Sequence, residues 1–328
     1  MSKILLNPGP TNTREETKLA QQVGSDVCHR TDDFKNILNE TKVLLLDMFG
    51  SESFNITLLG GSGTVGMEAM ISSLVDDSIV VINAGVYGQR AVDMMNVYGI
   101  NHKEICVTSA EQLKPNKEYK TVYFVENETT TGEHFSLEKM TELYPNAKFY
   151  IDTTSSFGAS DYKKFHGVIL GMSFCGNKCL QSTPGLGIVI WNKKIQYKER
   201  SYYCNLSRYM GKDLPFTLPV QSVSALNATL KVTSNQKSLF DDRRDRLIED
   251  FSKMNIDCIN QSPSNSIIGF KHPTMSYEHL KDFLYDRDIV IYAGIKDIDN
   301  SFRVSTMSVL FDESYDMIIR SFYDSCLL

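Results

Sequence analysis

Between residues 54 and 191 the sequence alternates short apolar runs with helix-like stretches, and that alternation limits the chain to a narrow set of folds. The runs at 54–59, 79–82, 121–126, 148–152, 167–170 and 188–191 have the length and composition of buried strands. Helical stretches follow several of them, at 67–74, from the turn at 83–90 to about Tyr98, and near 136–144. Such alternation predicts a mostly parallel sheet covered by helices, because a parallel crossover needs a connection of helix length. In these sheets a ligand lies beyond the carboxyl ends of the strands. Here those ends carry polar, small-residue clusters: GGSGTVG at 60–66, NAGVYGQR at 83–90, NETTTG at 127–132 and DTTSSFG at 152–158. Their convergence on one edge predicts a single site.

A further stretch, FCGNKCLQSTPGLG at 174–187, sets one lysine, Lys178, among small and turn-forming residues. Cys175, Cys179 and Leu180 beside it suggest an enclosed place. Desolvation there lowers an ammonium pKa and frees the amine as a nucleophile. Upstream, the strand at 148–152 closes on Asp152. A Schiff-base lysine with an aspartate for the pyridinium nitrogen is the pair that pyridoxal phosphate chemistry requires. The glycine turn after residue 59 adds an anion site. Free N–H groups and the positive end of a helix dipole face a ligand there, with the Ser62 and Thr64 hydroxyls beside them. Gly61, Gly63 and Gly66 also spell the GxGxxG dinucleotide pattern. The next strand, however, ends on Asn83 where a ribose-binding acid is wanted, and some fifty residues precede the turn. A phosphate monoester fits without either requirement, and a nucleotide-binding oxidoreductase rests on this pattern alone.

The chain has 328 residues, 42% of them hydrophobic, enough for two domains in contact. The character changes near residue 236, which divides a large domain, 1–235 with its N-terminal arm, from a smaller α+β domain, 236–328. In the latter, helices are expected at 238–254, 277–285 and 312–323, with strands at 267–270, 289–292 and 302–305. Net charge is −6 with both signs interspersed, unlike the basic stripe of a nucleic-acid binder. No apolar run reaches the length of a membrane span, and the start lacks the apolar segment of a secretion signal. Seven scattered cysteines read as reduced thiols in a cytoplasm. Cys175 and Cys179 lack metal-site spacing and a second pair, so no metal is expected. Cys28-His29-Arg30 has no identifiable acid partner, and His102, His134, His166, His272 and His279 stand singly, as surface or loop residues do. Met94 and Met95 read as core.

Taken together, the glycine turn, ETTTG at 128–132, YIDTTSSFG at 150–158, NKCLQSTPG at 177–185 and FRVS at 302–305 resemble the class V aminotransferases of fold type I. The likeness covers nearly the whole chain and includes NPGPTNT at 7–13. It is strongest to the branch of that class that moves an amino group between 2-aminoethylphosphonate and pyruvate. Asp152-Thr153-Thr154 replaces the family's more usual aspartate–alanine–methionine, and the chain is shorter than the family norm; both bear on substrate more than on cofactor. The resemblance implies a large domain with a mostly parallel seven-stranded sheet, a small C-terminal domain, and pyridoxal 5'-phosphate as cofactor. It implies that Lys178 carries the cofactor and shuttles a proton, that Asp152 faces the pyridine nitrogen, and that Ser62, Gly63 and Thr64 cradle the phosphate. Tyr87 would stack on the ring and Thr129 would touch its hydroxyl. Thr217 would reach the phosphate of a partner subunit's cofactor, which implies a homodimer with active sites at the interface. Arg303 and Gly9 would meet the substrate. The implied reaction is a ping-pong exchange between 2-aminoethylphosphonate and pyruvate, in a direction that stays open. Alanine–glyoxylate or serine–pyruvate transamination is the near alternative. A class V lyase such as a cysteine desulfurase needs a mobile loop cysteine, for which Cys326 at the tail is a poor candidate.

Overall fold

The computed structural model describes residues 3–211 and 214–328. The first elements are β1 (Ile4–Leu5), α1 (Glu15–Val23) and α2 (Asp32–Phe49). Helix α2 shows how the local sequence sets its own limits. The Thr31 hydroxyl accepts from the Phe34 N–H, Asp32 and Asp33 meet the positive end, and Gly50 closes the helix in the left-handed region at φ 87°. Phe34, Leu38, Thr41, Leu45 and Phe49 fall on one buried face at helical spacing.

The alternating region follows as β2 (Phe54–Gly60), α3 (Gly63–Leu74), β3 (Ile79–Asn83), α4 (Val86–Val97), β4 (His102–Cys106), β5 (Thr121–Val125), a hairpin of β6 (Asn127–Glu128) and β7 (Glu133–His134), α5 (Leu137–Leu143), β8 (Lys148–Asp152), β9 (Ile169–Cys175), β10 (Leu186–Asn192) and α6 (Val220–Val232). Seven strands form one sheet in the order β2-β10-β9-β8-β5-β3-β4. β10 is antiparallel to both neighbours and the other pairs are parallel, so six carboxyl ends open on the same edge. Side chains alternate between two cores. Phe124, Phe149, Ile151 and Phe174 face one side with α2 and α6, while Val81, Tyr123, Tyr150 and Trp191 face the other with α3.

Several boundaries differ from the sequence expectation, each for a physical reason. Thr64 and Tyr87, read as turn residues, lie in the first turns of α3 and α4, because Ser62 and Gly85 take extended backbone and the helices start directly after them. β9 runs to Cys175, well past residue 170. β4 was not expected at all. Its sequence, HKEIC, is charged, as suits an edge strand that must not pair further. His272 is fully buried and not a surface residue: its Nδ1 accepts from the Thr274 and Met275 N–H groups, and its Nε2 meets the Ser325 hydroxyl.

The remaining chain runs α7 (Lys237–Ser252), β11 (Asp257–Cys258), β12 (Ile267–Lys271), α8 (Tyr277–Tyr285), β13 (Ile289–Val290), β14 (Tyr292–Ala293), β15 (Ser301–Ser305) and α9 (Tyr315–Ser325). A four-stranded sheet, β11-β12-β15-β14, packs beside these helices around Phe251, Phe270, Phe302 and Phe322. The N-terminal arm, grouped by sequence with the large domain, adds β1 to β13 in parallel and buries Ile4 and Leu6 in this separate core. Glu133 ties the two parts together, accepting from the backbone N–H groups of Gln261 and Ser262.

Candidate active site

Beyond β9 the chain turns tightly. The Gln181 N–H donates to the Lys178 carbonyl at 2.8 Å, and the Ser182 N–H to that of Gly176 at 2.9 Å. This turn sets Lys178, half-buried, over the sheet edge, where its Nζ donates to the Pro8 carbonyl of the N-terminal arm. Gly9 lies against the same side chain. A Cβ there would stand 2.8 Å from Lys178 Cδ, and Gly9 has φ +124°, so the arm can cross the lysine only as glycine.

Asp152 ends β8 and is 2% exposed. Its Oδ1 accepts from the Thr154 N–H at 2.9 Å and the Thr154 hydroxyl at 2.6 Å. Burial pushes its carboxyl up to about 6. The Thr154 hydrogen bonds pull the other way, Glu128 adds to the rise, and Lys178 opposes it.

At the start of α3, the Ser62 side chain makes no cap of its own. Gly63 leaves room that even a methyl group would fill, since a Cβ there would stand 3.2 Å from the Thr154 methyl. Arg90, one turn beyond Tyr87 on α4, donates from Nη1 to the Thr64 hydroxyl at 2.8 Å and lies 4.8 Å from the Tyr87 ring centre. Ser62, Gly63, Thr64, Tyr87, Asp152 and Lys178 thus line one cavity of about 290 Å³, with Arg90 at its wall.

Three expected residues are placed differently. Thr129 is buried and does not line the cavity, and its carbonyl accepts from Arg303 Nη1. Arg303 is itself buried, with Nε on the Ala293 carbonyl, and is not part of the cavity wall. Thr217 is exposed and outside the cavity of its own chain. Conversely, Arg90, Thr154 and Glu128 went unread in the sequence. The three-residue spacing from Tyr87 to Arg90 was the available signal for the first.

A phosphorylated pyridine aldehyde would find its complement here. An amine stands opposite a deeply buried carboxylate, an aromatic ring lies nearby, and a helix N-terminus with Gly63 at its mouth offers N–H groups to a phosphate. The carboxyl already sits far from bulk water, so a cationic ring nitrogen is the partner that would restore its charge.

No protein-family model matches the chain. Over 94% of its length it is 29% identical to the 2-aminoethylphosphonate–pyruvate transaminase of Lysinibacillus sphaericus, covering 93% of that protein. It is 25% identical to the protein of the same name from Phocaeicola vulgatus, over 97% of each chain. The subgroup IV aspartate aminotransferase of Thermus thermophilus has the same fold, with a TM-score of 0.87 at 21% identity over 98% of both chains. By its likeness to these relatives across nearly its whole length, and by its fold, the chain is an enzyme of the pyridoxal-phosphate-dependent aminotransferase class, of fold type I.

Proposed function

We propose that the enzyme exchanges an amino group between 2-aminoethylphosphonate and pyruvate in two half-reactions. The observation that carries the proposal is the meeting of Lys178, Asp152 and the α3 N-terminus around one cavity, in a chain whose full-length relatives bear that name. When bound, pyridoxal phosphate supplies an electron sink for bond breaking at the amine-bearing carbon. Lys178 would be the attachment residue, and its Nζ would take the proton from that carbon and deliver it to the cofactor's former aldehyde carbon, on the far side of the amine nitrogen. Asp152 would keep the ring nitrogen protonated. Ser62, Gly63 and Thr64 would hold the phosphate through N–H and hydroxyl donors, and Tyr87 would cover the ring. The enzyme works in the cytoplasm, a reading supported by seven free cysteines. It works as a homodimer, with the exposed Thr217 reaching the partner's cofactor phosphate.

Substrate anions fall to Arg303, with Gly9 at the entrance. The Arg303 guanidinium donates to the carbonyls of Ala293 and Thr129, the latter in the turn that follows β6. A guanidinium can engage two oxygens of a phosphonate or carboxylate at once. Charge-assisted bonds of this kind contribute about 1.5–3 kcal/mol each. The test is a donor and acceptor panel on cofactor-loaded enzyme, reading alanine formed from pyruvate. With 2-aminoethylphosphonate as donor the wild type should turn over. Arg303→Lys should be impaired and Arg303→Ala nearly inactive, for alanine as well, since one group serves both half-reactions. Turnover with alanine and glyoxylate but none with the phosphonate would replace this substrate assignment. Full efficiency in Arg303→Ala would move the anion clamp elsewhere.

A further inference from the structure

Glu128 is a fully buried glutamate with no part in the roles given above. A carboxylate so placed must be saturated with donors or it becomes a large liability. Its donors come from two segments. Oε2 accepts from the backbone N–H groups of Tyr87, at 3.0 Å, and Gly88, at 3.2 Å. Oε1 accepts from the Thr130 N–H at 3.2 Å and from the Thr130 hydroxyl. With four donors engaged, the carboxylate is occupied as an acceptor and is poorly placed to serve as a general base.

Tyr87 and Gly88 stand in the first turn of α4, whose first N–H groups have no partner within the helix. The residue before that helix is Gly85, which has no side chain to cap it. The cap arrives from the turn after β6 instead. Glu128 serves two of the N–H groups, and the Thr130 hydroxyl accepts from the Val86 N–H at 3.3 Å. The fit is tight, since a Cβ on Gly85 would stand 2.6 Å from the Thr130 hydroxyl and 2.7 Å from Glu128 Cδ. The same turn presents the Thr129 carbonyl to Arg303.

We propose that Glu128 is a positioning residue, a cap supplied from another strand that fixes the start of α4 and so holds the Tyr87 ring at the cavity. Its consequence for cofactor binding rests on the function proposed above; its geometry does not. Two arms test it. In the cofactor-free protein, hydrogen exchange at the amides of Tyr87 and Gly88 should quicken by on the order of tenfold or more in Glu128→Ala, and by less in Glu128→Gln, which keeps one acceptor oxygen. Amides of β5 should stay unchanged. In the loaded protein, Glu128→Ala should weaken pyridoxal phosphate binding about tenfold and diminish the visible circular dichroism of the bound cofactor. In a Tyr87→Ala background the same change should weaken binding less than about twofold, because the group it acts through is gone. A merely structural glutamate would lower stability without that coupling. Unchanged exchange at residues 87 and 88, or additive losses in the double variant, overturns the proposal. Where Glu128→Ala fails to fold, Glu128→Gln carries both arms. A wild type that takes up no cofactor refutes the function proposed above and leaves the exchange arm to decide the role of Glu128.

Discussion

Replacing Asp152 by asparagine should stabilise the cofactor-free protein while removing the carboxylate proposed to hold the cofactor's ring nitrogen protonated. Burial raises this carboxyl from an ordinary 3.8 to about 6, with the Thr154 hydrogen bonds and Lys178 opposing the rise and Glu128 adding to it. A tenfold change in proton affinity corresponds to about 1.4 kcal/mol, so keeping Asp152 ionised in the folded chain costs about 3 kcal/mol. The sign follows from which state holds more protons. The folded pKa lies above the unfolded one, so between them the folded chain binds more protons, and stability falls as pH rises through that interval. The penalty is complete above the folded value and absent below the unfolded one. Asparagine carries no charge at any pH and keeps an oxygen for Thr154. Urea denaturation of both proteins without cofactor should therefore show the variant more stable by up to about 3 kcal/mol near neutral pH, with the difference gone near pH ~4. Saturating cofactor should reverse the order, because ligand that binds only the folded state stabilises the wild type and far less the variant. A variant no more stable than wild type near neutrality, or a difference indifferent to pH, refutes the reasoning.

Gly9→Ala should destabilise by about 1–3 kcal/mol, because φ +124° is strained for an L side chain and the new methyl presses on Lys178. The same variant should also slow cofactor capture, followed by the growth of visible absorbance. Arg243→Ala should lower stability by about 2–4 kcal/mol in a denaturant titration. It removes a buried guanidinium that donates to the carbonyls of Thr306 and Ser308 and to Asp312, although Asp312 is partly exposed and keeps Arg246.

The sheet was legible because its strands are short, apolar and separated by helices, and the cavity because each strand end carries small polar residues. Lys178 and Asp152 stood out as residue types set in unusual company. What the sequence could not convey were relations between distant segments. Nothing in HKEIC signals that it pairs with β3, because its charged residues leave no apolar run to betray it. The pairing of β1 with β13 joins residues from distant parts of the chain, and with the Ser305 N–H donated to the Leu6 carbonyl it helps bring Pro8 and Gly9 over Lys178. His272 looked solitary since the groups that satisfy it are two backbone N–H groups and a serine some fifty residues away. Glu128 reads in the sequence as an ordinary loop acid; two of its donors come from nearby Thr130, and the other two emerge only when α4 meets the β6 turn.

Lys178 is the amine proposed to carry the cofactor. Borohydride added to cofactor-loaded protein should fix the label covalently, and proteolysis with mass analysis should place it on the peptide containing Lys178. Lys178→Ala should remain folded, take no covalent label and lose turnover. Label on a different lysine, or undiminished labelling of Lys178→Ala, would contradict the assignment and with it the account of the cavity.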